Sequence, residues 1–244
     1  MFDIPLRYAA NSQIEPKTFI RPEMKKPEKD RIRENMLDAR LVWQVMGEEI
    51  PSLIDEHYNC TVIMGLDIKL NTIKDVAFFA ELAQRMVKAP CVIRFYDHAK
   101  EVYSFAHKRL SLTNTTQVVI VDRVETPPLS LALPGKIAEK LKQHLAFGAL
   151  LNKTDKLSLY LEAAVKAFII AHPRLYRGIE KLLEQKLWYN REDILALFGQ
   201  LLELARFSVE LKAEKLPGER AKLISKIKGL ILSLQNASGE RMWL

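Results

Sequence analysis

Two cysteines in 244 residues, Cys60 and Cys91, are too few for a disulfide framework and lack zinc-ligand spacing. Each opens a strand candidate, so both are expected as buried free thiols. No apolar run approaches the roughly 18 residues that a membrane helix needs. Asp3, Pro5 and Arg7 stand where a secretory leader would need an apolar stretch, so a cytoplasmic location without membrane contact is expected. The phosphate-cradling Gly-x-x-x-x-Gly-Lys-Ser/Thr loop is missing, which argues against ATP hydrolysis. The histidines (His57, His98, His107, His144, His172) are scattered without metal spacing, and no Ser, His and Asp fall close enough to suggest a triad. Neither a cofactor nor a metal is expected, and no small-molecule site is identifiable, which inclines the reading toward a protein that is not an enzyme.

The composition, 48 % apolar and 27 % charged, is that of a globular chain, and its length allows two modest domains. A net charge of +7 permits an acidic partner such as nucleic acid. Its distribution is uneven: residues 1–124 carry 18 basic and 17 acidic side chains, and 125–244 carry 19 and 13, which puts most of the excess in the second half.

The convincing strands lie between Cys60 and Val124. CTVIMGLDIKL alternates Val62, Met64, Leu66, Ile68 and Leu70 with Thr61, Gly65, Asp67 and Lys69, the period of a half-buried strand. A helix follows, with Thr72 and Asp75 resembling a capping box. PCVIRFYD and EVYSFAHKR flank the polar tip 98–100 and read as a hairpin, and TQVVIVDRV supplies a fourth strand. Upstream, four prolines in 1–27 favour an extended arm, anchored by Ile14, Phe19, Ile20 and Met24. From Pro27, the spacing of Ile32, Met36, Ala39, Trp43 and Met46 predicts one amphipathic helix. TPPLSLALPG then reads as a linker, and all that follows reads as helical, including 173–187 as one helix. The expected class is α+β: a small mixed or antiparallel sheet with covering helices, then an all-helical bundle. The expected divisions are an arm (1–27), a sheet domain (28–124), a linker (125–135) and a helical domain (136–240).

The sharpest chemical pattern is Asp55, then Asp67-Ile68-Lys69, which has the spacing of restriction-type nucleases. There two carboxylates hold a divalent ion and the lysine orients the attacking water. Asp-x-Lys is common by chance, however, and PSLIDEHYN looks irregular where the nuclease core sets a strand. Basic side chains offer phosphate or partner contacts instead: Lys26, Lys29, Arg33 and Arg40 on the first helix, His107, Lys108 and Arg109 at a strand end with Arg94 nearby, and Lys215, Lys222 and Lys226 near the C-terminus. Aromatic residues do not interleave with the last group, so base stacking is not expected there.

FDIPLRYAANSQIEPKTF, the helix expected around Trp43, IPSLIDEHYN with TVIMGLDIKLN, and APCVIRFYDHAKEVYSFAHKRLS together resemble the bacterial domain-of-unknown-function family numbered 4391. The resemblance covers residues 2–131. Thr61 replaces an acidic position and His107 a tyrosine, and the family's last helix motif is not recognisable, so the helical half is expected to lie outside it. Members of that family look like companions of helicases and DNA methyltransferases in restriction or phage-defence operons. The resemblance therefore implies an accessory or adaptor subunit that binds such a partner and contacts DNA backbone nonspecifically. A metal-dependent nuclease and a purely structural scaffold are the alternatives.

Overall fold

A computed structural model describes residues 2–237. The chain enters as an arm whose Phe19 is buried and whose Ile14, Ile20 and Met24 pack on the core. Part of that arm, β1 (Ala9–Gln13), joins the sheet as an edge strand. In α1 (Lys26–Asn35), Pro27 occupies the first turn and Glu28 accepts the Lys25 N–H at 2.8 Å, satisfying a donor that the helix start leaves open.

The helix ends at Asn35 and β2 (Met36–Val45) follows, so the helical stripe expected through Met46 is half strand. Two bulges are the reason. Register shifts between Met36 and Asp38 and between Leu41 and Trp43 each insert an extra residue into β2. The first leaves Met36 and Ala39, three apart, on the face towards α1 and the second turns Trp43 to the opposite face, so burial at 36, 39 and 43 imitates helical spacing. Arg40 consequently stands on a strand.

A small hairpin, β3 (Leu53–Ile54) and β4 (Asn59–Cys60), precedes β5 (Ile63–Leu70), which runs antiparallel to β2. Thr72 accepts the Lys74 N–H at 3.4 Å ahead of α2 (Val76–Met86), which crosses over to β6 (Cys91–Tyr96). β6 lies parallel to β5, as a strand–helix–strand crossover produces. β7 (Lys100–Leu110) makes the expected hairpin with β6, its turn fixed by Asp97 Oδ1, which accepts the Ala99 and Lys100 N–H groups at 2.8 Å. β8 (Val118–Glu125) is the far edge and β9 (Leu129–Ser130) also pairs with β7. The mixed sheet runs β1-β2-β5-β6-β7-β8.

One face, with Leu66, Ile68, Ile93 and Phe95, packs against Ile32 of α1 and Phe79, Ala80 and Ala83 of α2. On the other face, Val45, Ile63, Val92 and Phe105 meet α3 (Lys136–Leu145) through Leu145, and α4 (Lys156–Ala171) through Leu159, Tyr160 and Ala163. Every residue of α4 from Lys156 to Ile170 is buried, and its charged groups are partnered. Lys156 Nζ donates to the Gly47 and Ile50 carbonyls, and Glu162 accepts the Leu151 and Asn152 N–H groups and pairs with Lys166 at 2.5 Å.

The segment 125–135, expected as a linker, is woven into this sheet. Besides the β9 pairing, Thr126 donates to the Tyr103 carbonyl and its Oγ1 accepts the Tyr103 N–H, both at 2.9 Å. The second sheet face needs α3 and α4 to cover it, and the compact units are accordingly Met1–Ala171 and His172–Leu244. Residues 238–240 of the expected helical domain lie outside the described residues.

In the second unit, 173–187 is not one helix. After Gly178 at φ +93°, two 3-10 turns form, Ile179–Glu184 and Lys186–Tyr189, pinned by Trp188 Nε1 donating to the Leu182 carbonyl at 3.0 Å. Asn190 caps α5 (Arg191–Ala213) by accepting the Glu192 N–H, and α5 packs along α6 (Pro217–Ala237). No described helix is long and apolar enough to cross a membrane.

Candidate functional site

Opposite the α2 face, two rows of polar residues cross four strands in register. Arg40, Asp67, Arg94 and Tyr103 form one row on β2, β5, β6 and β7. Asp38, Lys69, Tyr96 and Glu101 form the next. Residues directly opposite on paired strands share a face, so these eight make one patch.

Arg94 is its hub. Its Nη1 meets Asp67 Oδ2 at 3.0 Å, its Nε meets Glu101 Oε2 at 2.6 Å, and its guanidinium lies 4.6 Å over the Tyr96 ring. Tyr103 donates to Glu101 Oε1 at 3.1 Å. Burial works against the charge of Arg94, but Glu101 and Asp67 outweigh it and hold the guanidinium above its ordinary value. Burial also raises the Asp67 carboxyl, with Arg94 pulling the other way, and burial with the nearby Glu101 charge raises the Tyr103 phenol. Across the row, Asp38 pairs with Arg40 at 2.7 Å.

Beside Arg94 opens a cleft of about 540 Å³ lined by Asp3, Ile4, Ala9, Val42, Trp43, Asp67, Arg94 and Tyr103. Trp43 is seated by Gly65 directly opposite it, where any Cβ would fall 2.0 Å from the indole. Two buried polar atoms here lack partners, Trp43 Nε1 and Asp67 Oδ1. The arm forms one wall with Phe2 and Asp3 at φ +53° and +46°, a left-handed conformation uncommon for non-glycine residues. Phe2 is held there by its carbonyl accepting the Phe147 N–H at 2.8 Å and by its ring, 5.1 Å from that of Tyr103.

Of the residues read from sequence, Asp67, Lys69, Arg40 and Arg94 are brought together here, and Asp55 is not. Asp55 caps the β3–β4 hairpin by accepting the His57 and Tyr58 N–H groups, and that hairpin is tied to the far end of β7 by Leu110 N–H donating to the His57 carbonyl. Tyr103 and Leu110 are seven positions apart on β7, about 23 Å at ~3.3 Å per residue. The acids that share a face with Asp67 and Lys69 are Asp38, which the sequence reading placed on a helix, and Glu101. Among the described residues, no group of three or more His, Cys, Asp or Glu is arranged to hold a metal ion.

The strand-end cluster serves the fold. Lys108 is buried, and its Nζ donates to the Val87 and Ala89 carbonyls at 2.6 and 3.0 Å, closing the end of α2, so it is not free to meet an anion. His107 stacks on Tyr58 with their polar atoms 3.1 Å apart, and Arg109 donates to the Leu110 carbonyl. On α1, Lys26 is exposed, whereas Lys29 turns back to the Pro22 carbonyl and Arg33 to Asp30. Lys215, Lys222 and Lys226 are exposed, with Lys222 paired to Glu219 and Lys226 lying 5.1 Å over the Phe207 ring. Trp43, Glu101, Tyr103, Asp3 and Asp38 were missed by sequence reasoning. Alternation of Glu101, Tyr103 and Phe105 along β7 was the signal available for two of them.

A family model described as Domain of unknown function (DUF4391) matches residues 2–232, so the likeness read over 2–131 extends through the helical part. No curated protein and no solved structure matches the chain.

Proposed function

We propose, since the chain belongs to the DUF4391 family over nearly its whole length, that it is a non-enzymatic accessory subunit of a DNA-processing or restriction-like defence assembly. It would hold a helicase or methyltransferase and touch DNA backbone without reading sequence. The observation that carries this reading is the exposed surface of the helical hairpin. Leu216, Ile224 and Leu232 are 64, 39 and 46 % exposed, and α6 carries Arg220, Lys222, Lys226 and Lys228 against Glu219 alone. Exposed apolar side chains beside excess positive charge suit an acidic protein surface or phosphates. Duplex binding measured by anisotropy should fall by orders of magnitude between about 50 and 200 mM salt. Glu substitutions at Lys215, Lys222 and Lys226 should abolish it. Co-purification with the helicase or methyltransferase encoded nearby should fail with Ile224→Asp and Leu232→Asp. If neither set of changes affects either partner, the reading is wrong; a salt-resistant protein complex without DNA binding leaves a scaffold alone.

A second reading, the metal-dependent nuclease, is favoured by one observation: Asp38, Asp67 and Lys69 share one face of paired strands. It requires Asp67 to release Arg94. Mg2+- or Mn2+-dependent cleavage of DNA, lost in Asp67→Asn with the fold intact, would establish it over the accessory role.

A further inference from the structure

We propose that the cleft beside Arg94 binds a molecule presenting an amidine-type nucleobase edge, an amino N–H next to a ring-nitrogen acceptor, as in adenine and cytosine. The inference stands apart from the accessory role and depends on different residues. Its first support is what the walls leave unsatisfied. Trp43 is 6 % exposed and its Nε1 has no acceptor, and Asp67 Oδ1 has no donor. A buried polar group left unpaired costs about 1–3 kcal/mol, so a donor and an acceptor kept in this state beside one cleft need an explanation. One partner satisfies both if it donates to Asp67 and accepts from Trp43.

The spacing suits such an edge. Trp43 lies over Gly65, with Nε1 2.2 Å from where a Cβ would be, and Asp67 is the next residue along that face. Same-face neighbours on a strand are about 7 Å apart, a span that two hydrogen bonds of about 2.9 Å and the edge of a base bridge. Charge selects the kind of edge. Arg94 is already engaged by Asp67 and Glu101, and Asp3 adds a further carboxylate to the wall. That repels phosphate and carboxylate groups and favours an exocyclic amino group, which has two N–H donors.

Size and rigidity agree. About 540 Å³ is within the range of small-molecule sites, and a second cavity of about 600 Å³ shares Asp3 and Tyr103 as walls and is lined further by Phe2, Glu139 and Lys142. The consecutive left-handed residues Phe2 and Asp3 hold the rim in a conformation that costs on the order of 1–3 kcal/mol each, and such strain gathers at ligand clamps.

The test uses the 15N-labelled full chain and reads the indole N–H resonances, with that of Trp43 assigned by its loss in Trp43→Phe. Trp188 Nε1 already donates to the Leu182 carbonyl and serves as the internal control. Adenosine or cytidine should shift the Trp43 resonance saturably while leaving that of Trp188 in place, and Asp67→Asn should weaken the response at least tenfold. Uridine, whose edge lacks the amino group, should bind at least tenfold more weakly. A short single-stranded oligo-dA that shifts the same resonance at lower concentration would identify the source as a base in a strand; displacement by free adenosine only would identify a nucleoside. No saturable shift in folded wild-type protein overturns the proposal, and so does an equal response to agmatine, which would mark a plain cation site. The wild-type titration decides even if a variant fails to fold, and the nucleoside and agmatine titrations involve neither DNA-backbone nor protein-partner binding, so they stand or fall apart from the accessory role.

Discussion

Replacing Gly65 with alanine tests how the sheet seats the cleft. The added Cβ would lie 2.0, 2.2 and 2.5 Å from Cε2, Nε1 and Cδ2 of Trp43, at least an ångström inside normal contact. β5 is hydrogen-bonded to β2 on one side and β6 on the other, so its backbone cannot retreat. The ring must swing towards the cleft. Exposing about 60–100 Å² of indole costs about 1.5–2.5 kcal/mol at ~25 cal/mol per Å². Overpacking penalties of about 1–3 kcal/mol cover the same range. At roughly 2–4 °C per kcal/mol for a unit of this size, the melting temperature should drop by about 3–10 °C. Urea unfolding followed by circular dichroism gives the free energy, and tryptophan emission should shift to the red. In a Trp43→Leu background the same substitution should cost less than about 0.5 kcal/mol, because the clash is gone. An equal penalty in both backgrounds would refute the seating argument, and so would a neutral Gly65→Ala.

Tyr160→Phe should destabilise the protein by about 1–3 kcal/mol in urea titrations, because the hydroxyl accepts from the Ala106 N–H at 2.7 Å and reaches the Cys91 carbonyl at 3.0 Å, both buried. A change below a few tenths would mean that these groups are not held by the phenol. Burial, and then the neighbouring Arg109 charge, lower the His107 value from about 6.5. Its neutral ring therefore stabilises the fold above that ordinary value, and this contribution is lost as pH falls through the lower folded value. Thermal melts at pH 7.5 and 5 should show a larger loss for wild type than for His107→Gln; equal losses would dismiss the assignment. Burial, with Asp155 adding to it, pushes the Cys60 thiol up to about 12, and burial raises Cys91 as well. Neither should react with a thiol reagent at neutral pH until the chain unfolds, and rapid native-state labelling would contradict that.

The strands from β5 to β8 were legible because their apolar residues alternate and their turns carry polar residues at the tips. β2 was not, since two bulges disguise its period, and with it went Trp43 and Asp38. The division between units was hidden for another reason. Three prolines in 125–135 signal an interrupted chain, but local composition does not reveal that the second sheet face requires α4 as its cover. The candidate site was half visible: Asp67, Lys69, Arg40 and Arg94 were singled out individually, while their assembly depends on the register of strands far apart in sequence. Lys108 showed the opposite failure. A basic residue at a strand end reads as surface, and only tertiary structure turns it inward to close α2.

The burial of α4 on all sides also sets a timetable for synthesis. The last long strand of the sheet ends at Glu125, and the helix that covers its second face is not complete until Ala171. At about 5–20 residues per second, several seconds pass in which Val45, Ile63, Val92 and Phe105 have no cover. A nascent chain in that interval presents a broad apolar surface to solvent, a ready substrate for chaperones. Release of chains truncated near residue 135 should yield aggregates, and chains extended past 171 should remain in solution. Equal solubility of the two would show that the sheet survives without its cover.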